Sequence, residues 1–115
     1  MALKTFPDVS KRIYVSDETS YAYVSIPPAY QGKPTVLLLH GFPSSSWDWR
    51  HIIVRLKKAG YGIIAPDLLG YGDSDKPVEL EDYAMKRMCR HIVEILDEEG
   101  LDKCVGVAHD CNRRI

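Results

Sequence analysis

Thr35-Val36-Leu37-Leu38-Leu39-His40-Gly41-Phe42-Pro43 is the stretch on which the reading of this chain turns. Its first half is a short, nearly continuous apolar run with no polar alternation. That pattern predicts a strand covered on both faces, as in a parallel sheet. The run then breaks at once into a turn. Gly41 allows backbone angles that other residues resist, and Pro43 rigidifies the turn, so the exposed amide of Phe42 could point at a developing anion. A tight strand-to-helix connection would use the same residues without any chemistry.

The segments on either side repeat the theme. Downstream, Trp47 to Ala59 sets Trp49, Ile52, Ile53, Leu56 and Ala59 at helical spacing, after a serine run that can cap the start and before Gly60, which ends it. Arg55, Lys57 and Lys58 fall in its last turn, where cations suit the helix dipole. Gly62 to Pro66 reads as a second buried strand. Asp82 to Glu99 is the longest helix, with Met85, Met88, Cys89, Ile92, Ile95 and Leu96 on one side, and Lys103 to Ala108 is a third buried strand. The methionines read as core filler. Upstream, Lys11 to Val15 and Tyr21 to Ile26 flank the polar Ser16-Asp17-Glu18-Thr19-Ser20 as a hairpin, which Pro27-Pro28 closes. The fold class is therefore α/β: an N-terminal β-hairpin followed by parallel strands with helices on both faces and right-handed crossovers.

Composition narrows the functions. The 115 residues are 45% hydrophobic and 27% charged, ordinary for one globular domain, which at this size buries roughly two-thirds of its unfolded surface. Fifteen basic and sixteen acidic residues give a net charge of −1 with the signs interspersed, which disfavours nucleic-acid binding. Neither a signal peptide nor a membrane span is expected, since Val36 to Leu39 is far too short, and a soluble cytoplasmic protein is the expectation. Cys89, Cys104 and Cys111 have no metal-ligand spacing and read as free thiols of a reducing compartment, so no metal or cofactor is expected.

In a parallel sheet the loops leaving the carboxyl ends of the strands line the ligand crevice. The first runs from His40 to Arg50. The second, Asp67-Leu68-Leu69-Gly70-Tyr71-Gly72-Asp73-Ser74-Asp75-Lys76-Pro77, matches neither a phosphate loop nor an EF-hand, and reads as a compact loop held by glycine turns and aspartate side-chain-to-backbone bonds. The third follows Val105-Gly106-Val107-Ala108 into His109-Asp110, small and apolar residues leading to an aspartate, as a sharp nucleophile elbow requires. Taken alone, that aspartate could equally cap a helix.

Together the three loops resemble those of α/β-hydrolase-fold enzymes, and within them the epoxide hydrolases with an aspartate nucleophile. The resemblance covers about residues 10 to 110. It implies that Asp110 is the catalytic nucleophile, attacking an epoxide carbon to form an alkyl ester that water, activated by a His–acid pair, hydrolyses to a diol. It also implies an oxyanion hole from the backbone N–H groups of Phe42 and Cys111, with His40, Gly41 and Pro43 structuring the loop. The small-molecule substrate would be an epoxide or a related electrophile, because haloalkane and haloacetate dehalogenases use a similar aspartate and first loop. A serine esterase conflicts with Asp110.

The resemblance breaks at Cys111-Asn112-Arg113-Arg114-Ile115, where the family continues with an aromatic residue and small residues. The expectation is a single partial domain, residues 1–115, truncated just after the elbow by a gene-model error, alternative splice or frameshift. Family order places the acid and the histidine later than the nucleophile. His51 and His91 read as structural or solvated, so the chain is expected to be inactive alone. Its last strand would have an unpaired edge, which implies poor stability and self-association or partner binding there.

Overall fold

The structure, a computed structural model, describes residues 6–30, 32–40, 45–70, 72–76, 85–101 and 103–108. Strands β1 (Ser10–Tyr14), β2 (Ser20–Ile26), β3 (Thr35–Leu39), β4 (Gly62–Pro66) and β5 (Val105–Ala108) form one sheet, in the order β1-β2-β4-β3-β5. The hairpin β1–β2 is antiparallel and joins the sheet by antiparallel pairing of β2 with β4, from Tyr23↔Pro66 to Ile26↔Ile63. Strand β3 pairs in parallel with β4 on one side and β5 on the other. The expected hairpin-plus-parallel-strand architecture is present, and the bounds of β3 and β4 are those read from sequence.

Both faces of the central strands are covered, which explains the unbroken apolar runs. Val36, Leu38, Ile63 and Ala65 pack on one face with Ile53 of helix α1 (Arg50–Lys58), while Leu37, Leu39 and Ile64 pack on the other with Ile92 and Ile95 of helix α2 (Met85–Glu98). Side chains alternate between faces along a strand, so a sheet sandwiched by helices needs apolar residues at every position.

The helix expected from Trp47 begins differently. Ser46–Trp49 is a 3-10 turn whose start is capped by Ser45, its Oγ accepting from Trp47 N at 3.2 Å, and α-helical geometry begins only at Arg50. Ile52, read from its spacing as core-facing, is 42% exposed, whereas Trp49 and Ile53 are buried. The 3-10 turn winds more tightly than an α-helix and shifts the face of the helix beyond it. Helix α1 ends as expected at Gly60, where φ is +89° and the bonds Gly60 N to Lys57 O and Tyr61 N to Leu56 O close a Schellman cap. The same pair of bonds, Gly100 N to Asp97 O and Leu101 N to Leu96 O, closes α2.

Strand β5 departs from the fully buried strand expected at Lys103 to Ala108. It starts at Val105 and lies at the sheet edge, with Val105 50% and Val107 41% exposed. Only its other face, through Cys104 and Ala108, packs against the core beside α2. Cys89 and Cys104 are free and half-buried, and burial raises the Cys104 thiol above its ordinary value. Among the described residues no helix is long and apolar enough to cross a membrane, and no cluster of three metal-ligating side chains forms.

Candidate active site

The sheet order itself locates a site. From β3 the chain crosses to β4 on one side and then returns to β5 on the other, so the loops after β3 and β5 leave neighbouring strands at a switch in strand order, where open α/β sheets hold their ligands. Leu39 and Ala108 are register partners. The first and third loops therefore begin side by side. Gly41, Phe42, Pro43, His109, Asp110 and Cys111 lie outside the described residues; what the structure describes is the frame from which they depart.

That frame is built around two fully buried polar side chains, His40 and Asp67, which directly follow β3 and β4. His40 Nε2 accepts a hydrogen bond from Leu68 N at 2.9 Å. This fixes the imidazole with Nε2 as an acceptor, so His40 ties the end of β3 to the second loop. The Asp67 carboxylate works in the opposite direction along the sheet. Its Oδ1 accepts from Ser46 N at 2.8 Å and its Oδ2 from Asp73 N at 3.0 Å. A buried carboxylate needs such partners, because an ionised group out of water without them is strongly disfavoured.

The second loop folds tightly around Asp67. Gly72 has φ of +54°, and a methyl there would stand 2.7 Å from Asp67 Oδ1 and closer still to its Cγ and Oδ2. Only glycine leaves the carboxylate its room. Ser74 is equally enclosed: its hydroxyl donates to Asp67 O and accepts from Ala22 N at 2.9 Å. Asp75 Oδ2 accepts from Ser20 N at 2.8 Å, and Gly70 N donates to Asp75 O at 2.8 Å. The reading of Asp67 to Lys76 as a compact loop held by glycine turns and aspartate side chains describes this part of the structure; Tyr71 and Pro77 lie outside the described residues.

Sequence reasoning placed Asp67 in a crevice loop but missed its specific task. A carboxylate directly at the end of an apolar strand, five residues before a Gly-Asp pair, was the available signal: such a group must find donors, and a tight turn supplies backbone N–H groups. Beyond it, Trp47 is 46% exposed and carries the Arg50 guanidinium 4.3 Å from its ring centre, with Arg50 Nη1 donating to Trp47 O at 3.0 Å. Of the histidines expected to be structural or solvated, His91 is buried in a hydrogen-bonded network and His51 is exposed. A cavity of about 260 Å³ lined by Lys11, Ser25, Pro28, Thr35, Glu99 and Leu101 lies at the other end of the strands. It is separate from this frame.

Comparison with known proteins agrees with the frame. A family model for the alpha/beta hydrolase fold matches residues 34–111. The chain is 38% identical over 101 residues to bifunctional epoxide hydrolase 2 of Mus musculus, covering 82% of this chain and 18% of that protein. It is 44% identical over 79 residues to epoxide hydrolase A of Mycobacterium tuberculosis, covering 69% of this chain and 24% of that one. Among solved structures, an epoxide hydrolase mutant from Vigna radiata superposes with a TM-score of 0.79 at 34% identity, over 88% of this chain and 30% of that chain. The chain thus spans less than a quarter of the length of these curated relatives, 18% of one and 24% of the other. The family model over residues 34–111, together with these relatives and this structure, shows that the chain is an epoxide-hydrolase-like member of the α/β-hydrolase fold family.

Proposed function

We propose that these residues form the nucleophile-bearing part of an epoxide-opening hydrolase. The observation that carries the reading is the shared register of Leu39 with Ala108, which starts the Phe42 loop and the Asp110 loop from adjacent strands at the switch point. Similarity to epoxide hydrolases supports the substrate class.

In this reading an Asp110 carboxylate oxygen attacks an epoxide carbon. A C–O bond of the ring breaks, the electron pair passes to the ring oxygen, and that oxygen takes a proton, leaving a hydroxyalkyl ester on Asp110. Water then adds to the ester carbonyl carbon as a base takes its proton. The Phe42 and Cys111 amides hold the resulting oxyanion, and collapse releases the diol and restores the carboxylate. His40, Gly41 and Pro43 shape the loop that presents Phe42.

The second step lacks its base among the described residues. His40 accepts from Leu68 N, His91 lies between Tyr21 and Asp17, and His51 is an exposed residue of α1. We therefore propose that the 115 residues accept the alkyl group but do not turn it over, as a cytoplasmic protein that uses no cofactor and binds no nucleic acid. The open edge of β5 would serve self-association. A dehalogenase would share the nucleophile, and the epoxide reading is preferred because the relatives are epoxide hydrolases.

The test is incubation with a small aryl epoxide, with mass spectrometry of the intact chain and of the Asp110 peptide. An adduct on Asp110 that is absent in Asp110→Asn, without steady release of diol, is the expected result. Sustained diol release would overturn the single-step reading. A halide-releasing adduct with a haloalkane and none with the epoxide would favour the dehalogenase.

A further inference from the structure

We infer that the cavity beside Thr35, the first residue of β3, and Glu99, just beyond α2, is a second small-molecule site, shaped for a neutral, ring-sized compound that carries a hydroxyl or carbonyl oxygen. The inference is independent of the reading of Asp110 given above.

The cavity holds about 260 Å³. An apolar cavity of about 150 Å³ is enough for benzene, so this one admits a ring with a short side chain. Ile26, Pro27, Pro28, Ile64 and Leu101 make one part of its wall apolar, and Lys11, Ser25, Thr35 and Glu99 make the rest polar. The lining draws on β1, β2, β3 and β4 together with the end of α2. Thr35 and Leu39 are the two ends of β3, about 13 Å apart at the rise of a strand, so the cavity is remote from the loops that leave the carboxyl ends of the strands.

Thr35 is 7% exposed, yet its hydroxyl has no hydrogen-bond partner among the described residues. Gly62, its register partner, keeps the space beside it open, since a methyl there would stand 2.5 Å from Thr35 Oγ1. A buried hydroxyl without a partner is costly, and a ligand oxygen supplies one.

Glu99 is the reverse case. Its Oε1 accepts from the Ser25 hydroxyl and from Lys11 Nζ at 3.2 Å, and its Oε2 accepts from the Tyr23 hydroxyl at 2.7 Å and from Lys11 Nζ at 2.9 Å. A carboxylate offers about four acceptor sites, so none is left for a ligand. Burial works to raise this carboxyl, but the bonds from Ser25, Tyr23 and Lys11 hold it below its ordinary value, and the half-exposed Lys11 offsets its charge. A cation entering the cavity meets a saturated carboxylate, and an anion meets an ammonium already shared. A neutral oxygen fits what remains: the Thr35 hydroxyl and an N–H of Lys11 that Glu99 does not use, with the ring against the apolar wall.

The experiment uses 2-phenylethanol, phenylacetate and 2-phenylethylamine, which share a shape and differ in charge. Each is titrated into the ¹⁵N-labelled 115-residue chain, and amide shifts are read by NMR. 2-Phenylethanol is expected to give saturable shifts centred on Ser25, Ile26, Thr35 and Leu101, with a Kd below about 10 mM. It should also raise the melting temperature as it saturates. The two ions are expected to bind at least about tenfold more weakly, because the cavity leaves their charge unpaired. Thr35→Val keeps the shape without the hydroxyl and should weaken 2-phenylethanol about fivefold, and Thr35→Ser should restore it. Lys11→Met leaves the Glu99 charge uncompensated and should reverse the order, the amine then binding at least about threefold more tightly than the alcohol.

Absence of saturable shifts with 2-phenylethanol overturns the inference, as do shifts centred away from the cavity. Either ion binding the unsubstituted chain as tightly as the alcohol overturns the neutral class. An unchanged Kd in Thr35→Val, with a native amide spectrum, overturns the role of the hydroxyl, and an unreversed order in Lys11→Met overturns the charge argument.

Discussion

Nε2 of His91, buried in α2, lies 2.9 Å from Oδ2 of Asp17 in the turn between β1 and β2. Its Nδ1 lies 2.9 Å from the Tyr21 hydroxyl. A neutral imidazole with its proton on Nε2 satisfies both contacts, Nε2–H donating to Asp17 and Nδ1 accepting from Tyr21 O–H. The pair fastens the hairpin turn to the helix. Arg87 Nε donates to the same Asp17 oxygen at 3.1 Å, and Ser16 N to Glu94 Oε1 at 3.0 Å, so the turn is gripped by residues one helical turn apart.

Tyr21→Phe should therefore destabilise the chain by about 1–3 kcal/mol, because it leaves a buried ring nitrogen without its donor. Urea denaturation followed by fluorescence measures it. A midpoint equal to that of the unsubstituted chain would show the contact to be energetically idle.

The same turn sets an acid limit on stability. Burial works to raise the Asp17 carboxyl, but hydrogen bonds from Thr19 and His91 carry it far below its ordinary 3.8. Glu99 is likewise raised by burial but lowered overall, by bonds from Ser25, Tyr23 and Lys11. Both groups release protons more readily when folded, so their contribution is fully present above about pH 5 and is lost as pH falls through about 4 and below. The urea midpoint should decline over that window. Asp17→Asn and Glu99→Gln should each flatten the decline, and an undiminished slope in both would refute the assignment.

Ser46 offers a contrast with Asp67. Its amide is a tether, but its hydroxyl oxygen is buried with no hydrogen-bond partner among the described residues. An unsatisfied buried hydroxyl costs about 1–3 kcal/mol, part of which is recovered when it is removed. Ser46→Ala should leave stability unchanged or raise it by up to about 1 kcal/mol, as read by thermal melting. A loss larger than that would reveal a partner for the oxygen.

What the sequence disclosed and what it hid divide along physical lines. Strands β3 and β4 were legible to the residue because covered strands demand unbroken apolar runs, and the ends of both helices were marked by Gly60 and Gly100. The start of the first helix was not, since Ser45 capping and the pull of Asp67 on Ser46 N impose a 3-10 turn that apolar spacing does not encode. His91 read only as structural or solvated, because its partners Asp17 and Tyr21 stand some seventy residues earlier in the chain and on other elements. Long-range polar pairs leave no periodic trace. Asp67 is the clearest case: its residue type suggested a turn, and only three-dimensional proximity reveals that it holds a different loop.

Val105 and Val107 predict association. They project from an edge strand of four residues that carries no charge, whereas the opposite edge, β1, displays exposed Lys11 and Arg12. Charged side chains discourage strand-to-strand pairing. Val107→Lys should shift sedimentation toward slower species at a given concentration, and an unchanged distribution would count against association through β5.

The bonds between the second loop and β2 make the frame around Asp67 depend on the hairpin. Ala22 O receives Asp67 N, Ala22 N reaches Ser74 Oγ, and Ser20 shares three bonds with Asp75, its N donating to Oδ2, its Oγ to Oδ1, and its O accepting from Asp75 N. Each contact closes a loop of about fifty residues, and closing such loops costs entropy before any contact repays it. The frame around Asp67 is thus complete only when the hairpin is docked on β4, since Ser20 and Ala22 belong to β2. An amino-terminal deletion reaching Ser20 would strip Asp75 of its β2 partners while removing no residue of the second loop.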